Sequence, residues 1–294
     1  MAGLPLRPRS FTSGSDVVES GECNVPLMLE DVQVGTDPAL VAYEAFASVY
    51  NQFNFANDYE KWLGCGLLPQ LRKHGLREGG TALDVGCGTG RAFAPLLRRG
   101  WTIVGCDLSP AMLEIAAREV GSTAIDLRVA DMRELPQLGD FDLVLSLNDS
   151  VNYLLGDDDL VLALAGMRSN LSDDGLLIFD VNSRSTYTEG YSELREVEFE
   201  GCRWVWTGRG EVAPSVFEAE IAGDRIEPVR QVERFRSEAE VVLAMEAAGL
   251  RTLAALGMRE VEGEIVLSPS VNEERDYKLV FIGARSEAPP TTTV

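Results

Sequence analysis

Histidine occurs once in this chain, at His74. Cysteine occurs five times, at Cys23, Cys65, Cys87, Cys106 and Cys202, never as a Cys-x-x-Cys pair. An odd and scattered set of thiols argues against a disulfide framework, and one imidazole argues against a zinc site, so no metal is expected. Cations are also scarce: 26 Lys and Arg stand against 47 Asp and Glu, a net charge of -21. Basic residues never run beyond pairs such as Arg72-Lys73 and Arg98-Arg99. A field of that sign repels a phosphate backbone and an anionic bilayer, so neither nucleic acid nor a membrane surface is an expected partner. No apolar run approaches the ~18 residues of a membrane span. Residues 1–20 carry Arg7 and Arg9 without an apolar stretch behind them, so no secretory signal is read. These absences leave a reduced, cytoplasmic protein as the expectation.

What is present is ordinary for a globular chain: 45% hydrophobic and 25% charged residues over 294 positions, enough for one large domain with an elaboration. Residues 1–37 keep no period and read as a flexible arm. Its apolar patch Val25-Pro26-Leu27-Met28-Leu29 suits docking on the body or on a second copy, which leaves a homo-oligomer open. From Pro38, the residues Leu40, Val41, Tyr43, Phe46, Ala47 and Tyr50 share one helical face. A second helical segment, residues 57–74, presents Tyr59, Trp62, Leu63, Leu67, Leu68 and Leu71, with Gly64, Gly66 and Pro69 loosening it.

Strands then alternate with helices: strands at 81–85, 101–106, 125–130, 141–146 and 175–181, helices near 90–99, 109–119 and 156–171. Near-continuous apolar strands at this pitch mean right-handed βαβ units and a parallel sheet covered on both faces. Ser109-Pro110 is a helix start, and Asp157 to Asp159 are first-turn acids. Residues 193–235 alternate apolar and polar and read as an inserted antiparallel sheet, with Trp204 and Trp206 on one side of it. Ser237 caps a helix that Gly249 stops, and strands near 251–259 and 277–284 close the sheet. The expected fold is therefore a doubly wound, mostly parallel, seven-stranded α/β sheet. Its main domain spans 38–192 and 236–285, with the insert between them and a disordered tail at 286–294.

Ala82-Leu83-Asp84-Val85 runs into Gly86-x-Gly88-x-Gly90, a turn whose missing Cβ atoms let backbone meet a ligand. The dinucleotide fingerprint needs glycine three residues beyond Gly88, where this chain has Arg91, and the P-loop needs a Gly-Lys-Ser/Thr that is absent. What remains, Asp-x-Gly-x-Gly-x-Gly, resembles motif I of the class I S-adenosylmethionine-dependent methyltransferases. The resemblance implies S-adenosyl-L-methionine as cofactor. It implies that Gly86, Cys87, Gly88 and Gly90 lie against the methionine part and that Asp84 sits near its amino group. Asp107, with Leu108 after it, would grip the ribose hydroxyls, since a carboxylate accepts two hydrogen bonds at once. Asp131 and Met132 would meet the adenine, and Leu147 and Asn148 the methionine moiety.

Tyr43-x-x-x-Ala47-x-x-Tyr50-Asn51 and Asp58-Tyr59-x-x-Trp62 are similar to the helical lid of small-molecule methyltransferases that include glycine and amino-sugar N-methyltransferases. Asp149-Ser150-Val151-Asn152-Tyr153-Leu154 and Phe179-Asp180-Val181-Asn182 look like that group too. By this resemblance Tyr50 and Trp62 face the cofactor, and Tyr43, Asn152, Tyr153 and Asn182 face the acceptor. Asn51 departs from the aspartate that many relatives carry there. Arg72 reads as a surface residue in preference to a partner of the cofactor carboxylate.

Methyl transfer from a sulfonium is an in-line displacement, in which the protein chiefly aligns the partners and excludes water. An amine needs only its neutral form, whereas a hydroxyl needs a base or metal and a carbon an activated substrate. With no histidine placed as a base, the reading tilts to an amine nitrogen on a small molecule. Asp149, Asp180 or a tyrosine as base keeps O-methylation open, and a cofactor-binding regulator without catalysis is a further alternative.

Overall fold

The computed structural model describes residues 37–121 and 125–287. The expected arm, apart from Asp37, and the tail beyond Glu287 lie outside the described residues. Helix α1, Pro38–Phe53, begins where Asp37 accepts hydrogen bonds from the amides of Ala39 (2.8 Å) and Leu40 (3.3 Å) and Pro38 supplies a preset φ. The second segment is not one α-helix. A π-helical stretch, Glu60–Leu67, passes into α2, Leu68–Lys73. Gly64 belongs to this distortion: a Cβ there would meet Glu60 Oε1 at 2.5 Å. Pro69 falls in the first turn of α2, where its missing N–H costs little.

The parallel core follows: β1 Gly80–Val85, α3 Phe93–Leu97, β2 Trp101–Asp107, α4 Pro110–Val120, β3 Ile125–Val129, β4 Phe141–Ser146, α5 Asp159–Ser169, β5 Leu171–Asn182 and α6 Arg184–Gly190. Ser109 caps α4 by accepting from Met112 N at 3.2 Å. The insert is a separate antiparallel sheet of β6 Leu194–Phe199, β7 Cys202–Ala213, β8 Val216–Gly223 and β9 Ile226–Arg234. Then come α7 Glu238–Ala247, capped by a reciprocal Ser237–Glu240 box, and β10 Leu250–Val261, β11 Glu264–Ser268 and β12 Lys278–Arg285.

The main sheet runs β11-β10-β12-β5-β4-β1-β2-β3 and has eight strands, where the sequence reading had seven. The extra strand is β11. Glu262 and Gly263 both take positive φ (53° and 82°), the two-residue turn that folds a ribbon back on itself. β1 to β5 are parallel; β12, β10 and β11 are antiparallel to their neighbours. The strand order reverses at β1, between β2 and β4, and a doubly wound sheet opens a crevice at its carboxyl edge beside such a point.

Three apolar layers hold the parts together. The π-helical segment, α2, α3 and α4 cover one sheet face through Leu63, Leu67, Leu71, Phe93 and Leu113. α5 and α7 cover the other through Leu164, Met167, Val241 and Met245. The insert packs on α1, where Phe46 and Phe53 meet Trp204, Phe217 and Tyr187. Trp204 and Trp206 are both buried, and their indole N–H groups donate to the carbonyls of Asp224 (2.8 Å) and Gly190 (2.9 Å). Docking the insert on α1 fixes the roof over the carboxyl edge of the sheet.

Candidate functional site

Two cavities meet at that edge. The first holds about 860 Å3 of empty space, counting the part open to solvent, between the glycine loop, Asp107, Met132 and α1. The second holds about 620 Å3 between α1, β5 and the insert. Tyr43, Tyr50, Asn148 and Tyr153 line both, so they stand at the junction.

The loop after β1 is shaped by glycine in two ways. Gly88 has φ +53°, and nothing lies within 4 Å of where its Cβ would be, so bare backbone faces open space. Gly90, at φ +74°, instead makes room for the Phe93 ring 2.6 Å from its missing Cβ, and it does not line the cavity. Its glycine serves packing, a correction to its place among the cofactor residues. Gly86, Cys87 and Gly88 are on the wall.

Asp107 ties the loop to β2. Its Oδ2 accepts from Gly88 N (2.7 Å) and its Oδ1 from Ser109 N (2.9 Å). Burial raises its pKa, with the amides of Ser109, Gly88 and Leu108 opposing. Asp107, Leu108, Asp131 and Met132 all line the first cavity, as do Leu147 and Asn148. Asp131 is not free: its carboxylate pairs with Arg133 at 2.5 Å, and Arg133 also reaches Asp37, the α1 cap, at 2.7 Å. Asp84 sits behind the wall, 2% exposed, and among the described residues no hydrogen bond or ion pair reaches its carboxyl. Burial, with Asp107 nearby, pushes its pKa up to about 8.

Helix α1 is fastened over the first cavity by polar contacts. Thr89 Oγ1 donates to Asn51 Oδ1 (2.7 Å), and Glu44 accepts from Ser109 Oγ (2.6 Å) and Ala111 N (3.0 Å). Asn51 therefore acts as a neutral acceptor here. Arg91 donates to the carbonyls of Asn54 and Asn57, and its guanidinium lies 5.5 Å over the Tyr59 ring. Tyr59 lines the cavity with Tyr50; Trp62 does not. Trp62 is buried beside Tyr59, its indole N–H without a partner among the described residues, and this corrects its assignment to the cofactor.

The turn after β4 is strained. Asn148 and Asp149 both have positive φ (62° and 59°), a conformation that costs a non-glycine residue on the order of 1 kcal/mol or more. Asp180 holds it: its two oxygens accept from Asn148 N (2.6 Å) and Asp149 N (2.9 Å). Lys278, 2% exposed, bridges Asp180 (2.7 Å) and Asp149. Burial raises the Asp149 pKa to about 7, while the Lys278 ammonium pulls the other way. Both acids named as alternative bases are thus committed to one buried ammonium.

Tyr43 and Tyr153 meet edge to face at 5.1 Å, and Tyr153 donates to Gln231 Oε1 at 2.9 Å. Asn182 lines the second cavity and donates to Glu233 Oε2 at 2.8 Å. Asn152 lines neither cavity. Its amide is fully buried, bonded to Arg234 O (2.9 Å) and Asn182 N (3.0 Å), so it ties β9 to β5 and is corrected from substrate contact to tether. Arg72 pairs with Glu78 at 2.8 Å, away from both cavities. Sequence reasoning missed Lys278, Arg133, Tyr191, Gln231 and Glu233. One signal was available: Gln231 and Glu233 lie in phase with buried Val229 on β9, which puts two polar groups on an inward face.

The crevice lies at the carboxyl edge of a doubly wound sheet, beside the point where the strand order reverses. Residues 82–175 match the family model described as a methyltransferase domain. Along 83% of its length the chain follows 99% of a crystallised S-adenosylmethionine-dependent methyltransferase from Clostridium acetobutylicum, with TM-score 0.66 and 22% identity, a likeness of fold. A Geobacillus sp. (strain WCH70) protein named as a methyltransferase is 34% identical over 49% of this chain, which spans 58% of that relative's length. Glycine/sarcosine N-methyltransferase of Parasynechococcus marenigrum (strain WH8102) is 36% identical over 43% of this chain and 45% of its own.

Lys278→Met leaves two carboxylates buried without their cation, and the expected loss in urea denaturation is about 3–5 kcal/mol; a loss below about 1 kcal/mol contradicts the role given to Lys278. Asp84 and Asp149 hold a proton more tightly folded than unfolded. The unliganded protein is therefore expected to lose stability as pH rises from about 4 towards 7 to 8. Thermal midpoints across that range check this, and Asp84→Asn should flatten the decline.

Proposed function

We propose that the chain is an S-adenosylmethionine-dependent methyltransferase that methylates an amine nitrogen of a small molecule. The observation that carries the reading is the pair of cavities meeting at Tyr43, Tyr50, Asn148 and Tyr153, one suited to a donor and one to an acceptor.

The first cavity fits the cofactor. Asp84 is a buried carboxyl that no hydrogen bond or ion pair reaches among the described residues, which suits the ammonium of the methionine moiety. Gly88 offers bare backbone beside it. Asp107 keeps lone pairs free after accepting two amide protons, which suits the ribose hydroxyls. Ala130, Met132 and Leu108 supply an apolar slot for the adenine. When bound, S-adenosylmethionine supplies a methyl group on a sulfonium, so that the nitrogen lone pair forms the N–C bond as the C–S bond breaks and its electron pair stays on sulfur.

The chain's own work is alignment and exclusion of water. Helix α1 covers the donor cavity and is held by Arg91, Asn51, Glu44 and Asp37. The insert, 193–235, closes the acceptor cavity. Asp149 and Asp180 are paired with Lys278, which disfavours them as bases and favours an acceptor that needs none. The N-methyltransferase name of the Parasynechococcus relative supports the same direction.

Incubation with labelled S-adenosylmethionine and a panel of amines, alcohols and enols, read by mass, is expected to add methyl groups to amines; gain confined to oxygen or carbon, or no gain, overturns the reading. Asp107→Ala is expected to weaken binding of S-adenosylhomocysteine by tenfold or more, since hydrogen bonds to a charged group are worth about 1.5–3 kcal/mol each. It also strips the acceptor from two part-buried amides, so a lower thermal midpoint is expected with it. Unchanged affinity in calorimetry sinks the ribose assignment.

A further inference from the structure

The second cavity carries a charge pattern of its own. Glu233, on β9, is 2% exposed and lines the chamber. It accepts from Asn182 Nδ2 (2.8 Å) and from the Tyr187 hydroxyl (3.0 Å), both at Oε2, and among the described residues no ion pair is made to it. Oε1 remains for a ligand. A buried carboxylate with two neutral donors and no cation is costly unless something charged completes it.

The surrounding wall is aromatic. Tyr43, Tyr50, Tyr153, Tyr191, Phe46 and Trp206 face the same space. The Tyr191 hydroxyl is buried beside Glu233 and among the described residues makes no well-aligned hydrogen bond, so the carboxylate is its nearest polar neighbour. A buried hydroxyl without a well-aligned partner is uncommon, and here it is a second polar group beside the carboxylate on the chamber wall. Ring faces attract cations, and a chamber walled by them suits an ammonium on an apolar body.

The wall is as informative in what it lacks. Among the described residues lining this cavity there is no Lys, Arg or His. The nearby ammonium, Lys278, is spent on Asp149 and Asp180, and Arg91 lines the other cavity, bonded to the carbonyls of Asn54 and Asn57. A carboxylate on the acceptor would meet Glu233 and Asp149 with nothing to neutralise it.

We infer that the second cavity recognises a cationic amine that bears no carboxylate, with Glu233 pairing with its charge on binding and accepting the proton that must leave before the nitrogen lone pair can attack, and the aromatic walls holding its apolar body. This rests on the methyltransferase reading and narrows the acceptor within it: amino acids are excluded, amines on neutral rings or chains are admitted. Glu233 is the residue that sets the charge selected.

The test uses the full chain saturated with S-adenosylhomocysteine, which transfers nothing, so binding is read apart from turnover. Calorimetric titration at pH 7 compares benzylamine, benzyl alcohol and phenylglycine, which share a ring and differ in charge. Benzylamine is expected to bind at least tenfold more tightly than either of the others. Equal affinity for benzylamine and benzyl alcohol, or tighter binding of phenylglycine, overturns the inference. This comparison needs no variant. Glu233→Gln is then expected to remove the preference for benzylamine while benzyl alcohol and S-adenosylhomocysteine bind as before. Retention of the preference in that variant also overturns it. If the unaltered protein binds no S-adenosylhomocysteine, it is the methyltransferase reading that fails.

Discussion

The buried Lys278 ammonium, set between Asp149 and Asp180, is the contact on which the site depends. It joins the antiparallel half of the sheet, through β12, to the parallel half, through β5 and the turn after β4. That turn carries two consecutive residues at positive φ, which would relax without Asp180 accepting both of its amides. Relaxation would move Asn148, one of the four residues at the junction of the cavities. The ion pair is a poor investment as stability alone, since burying three charges is expensive. Its return is a turn held in one strained shape.

Helix α1 is related to the glycine loop in a similar way. Its inner face is apolar and packs on the insert, but its edge is sewn to the loop by Thr89–Asn51, Arg91–Asn54 and Ser109–Glu44. These contacts join the lid to the elements that would touch a cofactor. Thr89 and Ser109 are themselves buried, and on the other side of α1 the aromatic layer of Phe46, Phe53 and Trp204 packs the helix on the insert. The lid and the insert therefore behave as one roof.

Much of the fold was legible because parallel strands buried on both faces print themselves as apolar runs. Phe141–Ser146 was found to the residue, and Ser109 and Ser237 declared their helices through local chemistry that needs no partner far along the chain. The misses share a different cause. β11 depends on a turn whose residues, Glu262 and Gly263, carry no apolar signal. Trp62 was assigned by the resemblance of a lid motif, and a motif does not say which of its two aromatics, Tyr59 or Trp62, reaches the cavity. Lys278 is a single basic residue at a strand start, and its meaning lies in acids 98 and 129 positions away. Glu233 hid in an alternating strand, where a polar residue is read as facing water. Within the site, loop residues set by backbone geometry were readable, whereas side chains that long-range packing turns inward were not.

The claim that the two cavities are donor and acceptor chambers is tested most directly by a crystal structure of the protein with S-adenosylhomocysteine. The account predicts the ribose hydroxyls within hydrogen-bond distance of Asp107 and the sulfur at the Tyr50–Asn148 junction, turned to the chamber that holds Glu233. A ligand bound elsewhere, or bound with its sulfur turned away from that chamber, would contradict it.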